Sequence, residues 1–403
     1  MRETRGNSPG EVETARSETG ARPLRVLVVA ASLDILGGQS VEAQRILRGM
    51  LDEPSVELSF LPVNPRLPGA LRGLQRIKYV RTVVTSLMYW ALLLARVPRY
   101  DVLHVFSPSY FSFLLAPTPA VLVARLYGKK VVLNYHSGEA EDHLAHWRTA
   151  IAVLRLADAI VTPSNYLVDV FARFQLSARA VPYSIETDRF RFRERTPLRP
   201  LFLSNRNHEP LYNVGCILRA FARIQRSLPE ARLVIVGDGS QHAELERLAR
   251  ELVLRHAEFA GRVEPEEMHA FYDAADVFLN ASNIDNMPIS ILEAFAAGTP
   301  VVTTNAGGIP YIVADGENGL MVECGDCEAL ARSALRLFEE PGLASKLAGR
   351  AHEQSRRYAW AAVRDGWLKV YREVAGEAAA RREVGTQEVS RQEAGRGEEK
   401  AVS

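Results

Sequence analysis

Two α/β domains, each a doubly wound parallel sheet, are the architecture this chain predicts, and three observations carry the prediction. Short, near-continuous apolar runs alternate with helical patterns, as buried parallel strands and their crossover helices do. The alternation breaks once, around residues 182–200, and then restarts. With 403 residues and 47% hydrophobic content, the chain exceeds what one core usually serves and can fill two.

Taken in order, residues 1–21 are polar, Gly/Ser/Glu-rich and without periodicity, and are expected to be a disordered tail. The first domain, 22–183, holds the runs Leu24–Ala30, Val56–Leu61, Val102–Phe106, Lys130–Tyr135, Ala159–Thr162 and Ala178–Val181. Tyr183-Ser-Ile-Glu-Thr-Asp188 and the Arg-rich, Pro-punctuated stretch 189–200 mark the join. The second domain, 184–355, holds Pro200–Leu203, Arg232–Val236, Glu258–Ala260, Val277–Asn280, Pro300–Thr303 and Gly319–Val322. Residues 376–403 are a second charged, non-periodic tail. Both domains read as Rossmann-like. Ligands of such sheets sit beyond the carboxyl ends of the strands, so two facing sheets enclose a cleft there.

Bulk chemistry excludes some functions. With 49 basic against 48 acidic residues, the chain has no charge excess on which a nucleic-acid binder could run. Cys216, Cys324 and Cys327 are too few for a disulfide framework, and no signal peptide precedes the first strand, so a reducing cytoplasm is the expected setting. Cys324-Gly-Asp-Cys327 has C-x-x-C spacing, but no second Cys pair or His cluster accompanies it in the sequence, so it is taken as a loop rather than a metal site.

The densest chemistry lies in residues 284–303, which place Asp285 and Glu293 eight positions apart just before a buried strand. Pro288 fits the first turn of a helix, and Gly298 with Pro300 ends it. The amides of Asn286, Met287, Pro288 and Ile289 are then expected to face a ligand, with the helix dipole favouring an anion. The two carboxylates can accept hydrogen bonds from hydroxyls, so the layout suits a sugar linked to a nucleoside diphosphate. Asp285 as a helix cap and Glu293 as an ordinary helix acid remain the bland alternative.

Further loops fall at strand ends. Gly37 and Gly38 follow the first strand and allow close approach of a diphosphate or only a flexible turn. His136, with Glu139, Glu141 and Asp142 nearby, follows the fourth strand. Arg206 follows the seventh, and its guanidinium can hold a diphosphate bidentately. Val234-Ile-Val-Gly237-Asp-Gly239 is a strand and turn lacking the third Gly of a dinucleotide fingerprint, and is read as packing.

The 284–303 segment closely resembles the E-x7-E stretch of retaining glycosyltransferases of family 4, which have the GT-B fold, and the resemblance covers about residues 24–375. It implies that Asp285 contacts the donor sugar and Glu293 holds the ribose. Asp285 is one methylene shorter than the family's Glu. The resemblance maps Gly37 and Gly38 onto the donor-phosphate and acceptor loop, places His136 near the sugar as a binder rather than a base, and gives Arg262-Val263 to recognition of the base. Ala306-Gly307-Gly308 matches a family loop near the phosphates, although a tight turn would need the same residues. Where the family carries Lys six residues after its Arg, this chain has Tyr212, so Tyr212 or Asn213 would contact a phosphate instead, or catalysis would be weak or absent. The stretch from Tyr358 through Trp367 and Tyr371, about residues 356–375, matches a terminal helix that crosses back to the first domain. No metal or other cofactor is expected, since the chain contains no D-x-D pair.

The function these features imply is transfer of a sugar, with retention, from a nucleotide-diphosphate donor to a glycan, glycolipid or small-molecule acceptor. Rival expectations are a same-fold epimerase or hydrolase, or a non-catalytic sugar-nucleotide-binding subunit. Residues 66–99 join Arg66, Arg72, Arg76, Lys78 and Arg81 to the apolar run Val83–Val97. A buried helix is the first expectation for that run, and a peripheral contact with the inner face of the membrane the second.

Overall fold

The computed structural model describes residues 22–33, 38–66 and 78–376. The expectations for the two tails, for Gly37 and for Arg72 and Arg76 fall outside them. Among the described residues twelve strands form two six-stranded sheets, parallel throughout. In the first lobe these are β1 (Leu24–Ala30), β2 (Val56–Pro62), β3 (Val102–Ser107), β4 (Lys130–Tyr135), β5 (Ala159–Thr162) and β6 (Ala178–Ala180), ordered β2-β1-β3-β4-β5-β6. The second lobe contains β7 (Leu201–Asn205), β8 (Arg232–Val236), β9 (Ala257–Gly261), β10 (Val277–Leu279), β11 (Val301–Thr304) and β12 (Leu320–Val322), ordered β12-β11-β10-β7-β8-β9. Strand order reverses between β1 and β3 and between β7 and β10, and the crevices that such reversals open are where ligands of doubly wound sheets bind.

Both faces of each sheet are covered, which is why the strands read as apolar runs rather than alternating ones. Along β1, Leu27 and Val29 enter one core while Val26, Val28 and Ala30 enter another. The first core is closed by helices Lys78–Arg96 and Pro117–Leu126. The second is closed by helix Gly38–Gly49 and by a helix over 360–376, whose Val363, Trp367, Leu368 and Tyr371 are buried against Val26, Val28, Val102 and Phe106. His104 lies 4.5 Å from the Trp367 ring and pairs through Nδ1 with the Tyr371 hydroxyl at 2.7 Å. The C-terminal helix thus returns from the second lobe onto the first. Its path crosses the outgoing chain, where Ile185 N–H donates to the Tyr358 carbonyl at 2.9 Å.

The structure corrects several sequence expectations. Helix Gly38–Gly49 begins at the second of the paired glycines, so Gly38 belongs to a helix rather than to a loop. The join over 189–200 is tied to the second lobe: Arg193 and Arg199 both bond the buried Asp276, and Arg195, 4% exposed, donates to the carbonyls of Tyr272, Ala275, Ala297 and Gly298. Cys216 and Cys327 form a disulfide, because helices Val214–Ser227 and Cys327–Glu339 pack side by side and bring the two Cα atoms to 5.1 Å. The C-x-x-C spacing was the wrong pair to weigh, and Cys324 is free and exposed. Helix Lys78–Arg96 is not simply buried. Tyr89, Leu93 and Val97 fill the core, whereas Val83, Leu87, Trp90 and Leu94, at helical spacing, lie exposed on the other side.

Candidate active site

A cavity of about 500 Å³ opens between the lobes at the carboxyl ends of the strands. The first lobe lines it with Gln39, Val41 and Arg45 of helix Gly38–Gly49 and with residues 136–139 after β4. Tyr183 enters from the join. The second lobe contributes Asn205, Arg206, Asn207, Leu211 and Tyr212 after β7, Val263, Pro265 and Met268 after β9, and residues 284–290 with Glu293. A second cavity of about 280 Å³ shares Val41, Arg45, Pro265 and Glu293 with it. The lobes meet at the rim: Ser164 Oγ bonds Asn286 Oδ1, and Tyr311 donates to Asp169 at 2.6 Å.

Arg206 is the cation at the centre. Its guanidinium lies 4.0 Å from the centroid of the Tyr212 ring, forms an ion pair with Asp285, and reaches the Ser290 hydroxyl at 3.4 Å. Asp285 is saturated by protein groups, since its carboxylate also accepts from Ser282 Oγ at 3.2 Å and from Asn286 N–H at 2.9 Å. Two glycine turns hold these backbones. Gly237, at φ +135°, and Gly307, at φ +49°, take conformations that L side chains rarely adopt, and a Cβ at either would run into the carbonyl of Arg206 or Asp285 respectively. A Cβ at Gly308 would strike the Asn286 carbonyl, so the Gly307-Gly308 pair is explained as packing behind the site.

The amide donors are fewer than the sequence suggests. The helix runs Ile289–Ala296 with Pro288 as its N-cap rather than in its first turn. Pro288 has no N–H, and that of Asn286 is taken by Asp285. Met287 and Ile289 remain as donors at the helix start.

Glu293 is buried, accepting from the Tyr272 hydroxyl at 3.0 Å and lying 4.0 Å from Arg45. Burial raises its pKa to about 7 against the opposing pull of Arg45 and the Tyr272 hydrogen bond. His136 stacks between Phe106 and Tyr183 and pairs through Nδ1 with the Tyr183 hydroxyl at 2.7 Å. Burial lowers its pKa to about 3, so the ring is neutral in all ordinary buffers. Its Nε2 is buried without a partner among the described residues. The neutral ring has two tautomers: with the Tyr183 hydroxyl donating to Nδ1, Nε2 carries the proton and donates, and with Nδ1–H donating to Tyr183, Nε2 accepts.

Other expected residues fall elsewhere. Gly38 opens helix Gly38–Gly49, and Val263 lines the cavity, while Arg262 is exposed and outside the lining. Asn213 is also outside it, in the left-handed conformation that starts the next helix. Glu139 lines the cavity, whereas Glu141 pairs with Arg173 and Asp142 accepts from Tyr110. Sequence reasoning missed Arg45, Tyr183 and Tyr272. Arg45 lies two turns into the helix behind the glycine pair, a position that could have been counted, but Tyr183 and Tyr272 carry no local signal.

Residues 186–356 match the family described as "Glycosyl transferases group 1", and residues 44–189 match "Glycosyltransferase Family 4". The chain belongs to glycosyltransferase family 4. It is 26% identical over 311 residues to the sulfoquinovosyl transferase of Arabidopsis thaliana, a stretch covering 71% of this chain and 59% of that protein. It is 31% identical over 249 residues to a GDP-mannose-dependent alpha-(1-6)-phosphatidylinositol monomannoside mannosyltransferase of Mycolicibacterium smegmatis, covering 56% and 65%. The chain spans less than two thirds of the Arabidopsis relative and 44% of a Rhizobium meliloti lipopolysaccharide core glycosyltransferase. Among solved structures, a sucrose-phosphate synthase from Thermosynechococcus elongatus superposes with a TM-score of 0.70 at 19% identity, covering 88% of this chain and all of that one. HepE from Anabaena in complex with UDP superposes with a TM-score of 0.68 at 17% identity, covering 86% and 99%. These likenesses establish the two-lobed fold of the family.

Proposed function

We propose that this family 4 chain transfers a sugar, with retention, from a nucleotide-diphosphate sugar to an acceptor hydroxyl. The observation that carries the proposal is the convergence in one interlobe cavity of a stacked, oriented arginine, two free amides at a helix start and a buried carboxylate. Arg206 and the N–H groups of Met287 and Ile289 receive the diphosphate and stabilise the charge that develops as the anomeric carbon–oxygen bond breaks. Glu293 accepts the ribose hydroxyls. Neutral His136 turns its unpartnered Nε2 to a sugar hydroxyl and serves as a binder rather than a general base. Asp285 holds Arg206 in place and meets the sugar when that ion pair opens. The acceptor oxygen bonds the anomeric carbon on the face the phosphate leaves, and its proton passes to the departing phosphate oxygen, so no protein base is required. On this proposal the protein's own dipoles and Arg206 do the electrostatic work at the donor without a metal.

A panel of nucleotide sugars with product analysis tests this. Label on a new glycoside, with the donor's anomeric configuration by NMR, is expected. Label on free sugar, an epimerised donor, or binding without turnover would each replace the proposal with one of its rivals.

We further propose that the acceptor is lipid-linked and that the protein works at the inner face of the membrane. The support is the exposed row Val83, Leu87, Trp90 and Leu94, flanked by exposed Arg81 and Arg99, on a helix whose opposite side is anchored in the first lobe. An apolar strip with a basic rim fits an anionic bilayer. The Mycolicibacterium relative is named for a phosphatidylinositol monomannoside, itself a lipid. Vesicles of phosphatidylglycerol should float the wild type and release Leu87→Asp; equal flotation of both would refute the contact. Alkylation in denaturing, unreduced lysate tests the setting: label on Cys324 alone shows the Cys216–Cys327 disulfide formed and argues against the reducing inner face, whereas label on all three cysteines shows it kept open there.

A further inference from the structure

Away from the cavity, the loop after β7 and the turn after β8 bring three metal-ligating side chains together. His208 Nδ1 faces His242 Nδ1 at 2.9 Å, and Asp238 Oδ1 lies 3.7 Å from His242 Nδ1, with all three ligand atoms within 4.8 Å of one another. Four-coordinate zinc with bonds of about 2.0–2.1 Å separates its ligands by roughly 3.3 Å, a value the 2.9 and 3.7 Å spacings bracket.

The surroundings are those of a metal site. His242 directs its far nitrogen, Nε2, toward Glu246 Oε1 at 3.5 Å, one helical turn on, and a carboxylate behind a histidine is the usual device that orients a ligating ring. Phe259 packs edge-on against both imidazoles and walls off one side. Asp238 is 64% exposed, so the other side is open to an ion and a coordinating water. The backbone is already locked: His208 N–H donates to the Asp238 carbonyl at 3.0 Å, and Gln241 N–H to the His208 carbonyl at 2.9 Å. Little ordering would remain to be done on binding.

We propose that His208, Asp238 and His242 bind one Zn2+, with water in the fourth position. The ion would staple the loop bearing Arg206 to the turn containing Gly237, where any Cβ would strike the Arg206 carbonyl. The histidines are 34 positions apart in sequence. No short motif announces them, and only the pairing of β7 with β8 brings them together. The site stands apart from the sugar chemistry, and its test does not depend on turnover.

The experiment uses the full chain after chelator treatment, titrated with ZnCl2 by calorimetry and with CoCl2 by visible spectroscopy, alongside thermal unfolding with and without metal. Expected are one equivalent bound with micromolar or tighter affinity, the intense visible bands of four-coordinate Co2+ with nitrogen and oxygen ligands, and a raised Tm. Glu246→Gln should weaken binding about tenfold. His242→Ala should abolish it, and Asp238→Asn, at an exposed position that leaves the fold intact, should weaken it at least as much as Glu246→Gln. Absence of binding at millimolar metal would overturn the proposal, leaving a plain His–His hydrogen bond. Undiminished binding in both His242→Ala and Asp238→Asn, or thiolate charge-transfer bands that locate Co2+ on Cys324, would overturn it as well.

Discussion

If Glu293 holds the ribose, donor affinity must depend on pH in a defined way. Burial raises the Glu293 pKa from 4.5 to about 7, so at pH 6 only about a tenth of the free protein carries the carboxylate that two ribose hydroxyls need. Affinity for a nucleotide sugar, whose diphosphate diester does not titrate in this range, should therefore rise about tenfold from pH 6 to pH 8 and then level off. That is about 1.4 kcal/mol. Calorimetry across pH 5.5–8.5 measures it, and near pH 6.5 binding should also release protons to the buffer. Glu293→Gln should bind weakly with a flat profile. Burial raises Glu42 to about 7 as well, and Glu42→Gln, which should keep the profile, separates the two groups. Stability gives an independent check. Since the folded pKa of Glu293 lies above the unfolded one, the stability it contributes is intact below about pH 4.5 and lost as pH rises through about 7, by about 3 kcal/mol at most. Glu293→Gln should accordingly outlast the wild type at pH 8 and match it near pH 4.5. A wild-type affinity that is flat or falls with pH would refute the assignment of Glu293 to the ribose.

Two further outcomes follow from packing. Tyr212→Ala removes the ring under Arg206 and should lower kcat/KM by about 2- to 30-fold, the range of a cation–π contact, whereas Tyr212→Phe should stay near wild type; a large loss in the Phe variant would instead assign the hydroxyl to a phosphate. Trp367→Ala should cost about 3–5 kcal/mol in denaturant unfolding, because the ring is buried in the first lobe's core against His104.

The inner strands such as β1, β3 and β10 were legible because they are buried on both faces and read as apolar runs, while the edge strands β2, β6 and β9, which are only partly buried and carry Glu57, Arg179 and Glu258, were legible from the alternation around them. The cavity lining was legible wherever it sits on a strand end with its own signature, as with Arg206, His136 and the Asp285–Glu293 pair. What failed was anything decided by contact across the fold. Asp285 is saturated by Arg206 because two loops of one lobe converge, and sequence gives no measure of that distance. The disulfide depends on two helices packing side by side 111 residues apart, while the C-x-x-C motif drew attention to the wrong partner. Helix Lys78–Arg96 shows the limit of composition. An apolar run says that a helix wants to leave water, not whether protein covers all of it.

The central claim is that one cleft between the lobes holds the activated sugar with its diphosphate on Arg206 and its ribose on Glu293. A crystal structure with the nucleotide diphosphate that best raises the Tm tests it most directly. The account predicts phosphate oxygens within hydrogen-bond reach of Arg206 and of the N–H groups of Met287 and Ile289, with both ribose hydroxyls on Glu293. A nucleotide bound outside the cavity, or inside it with Glu293 facing the base or the phosphates, would contradict the account.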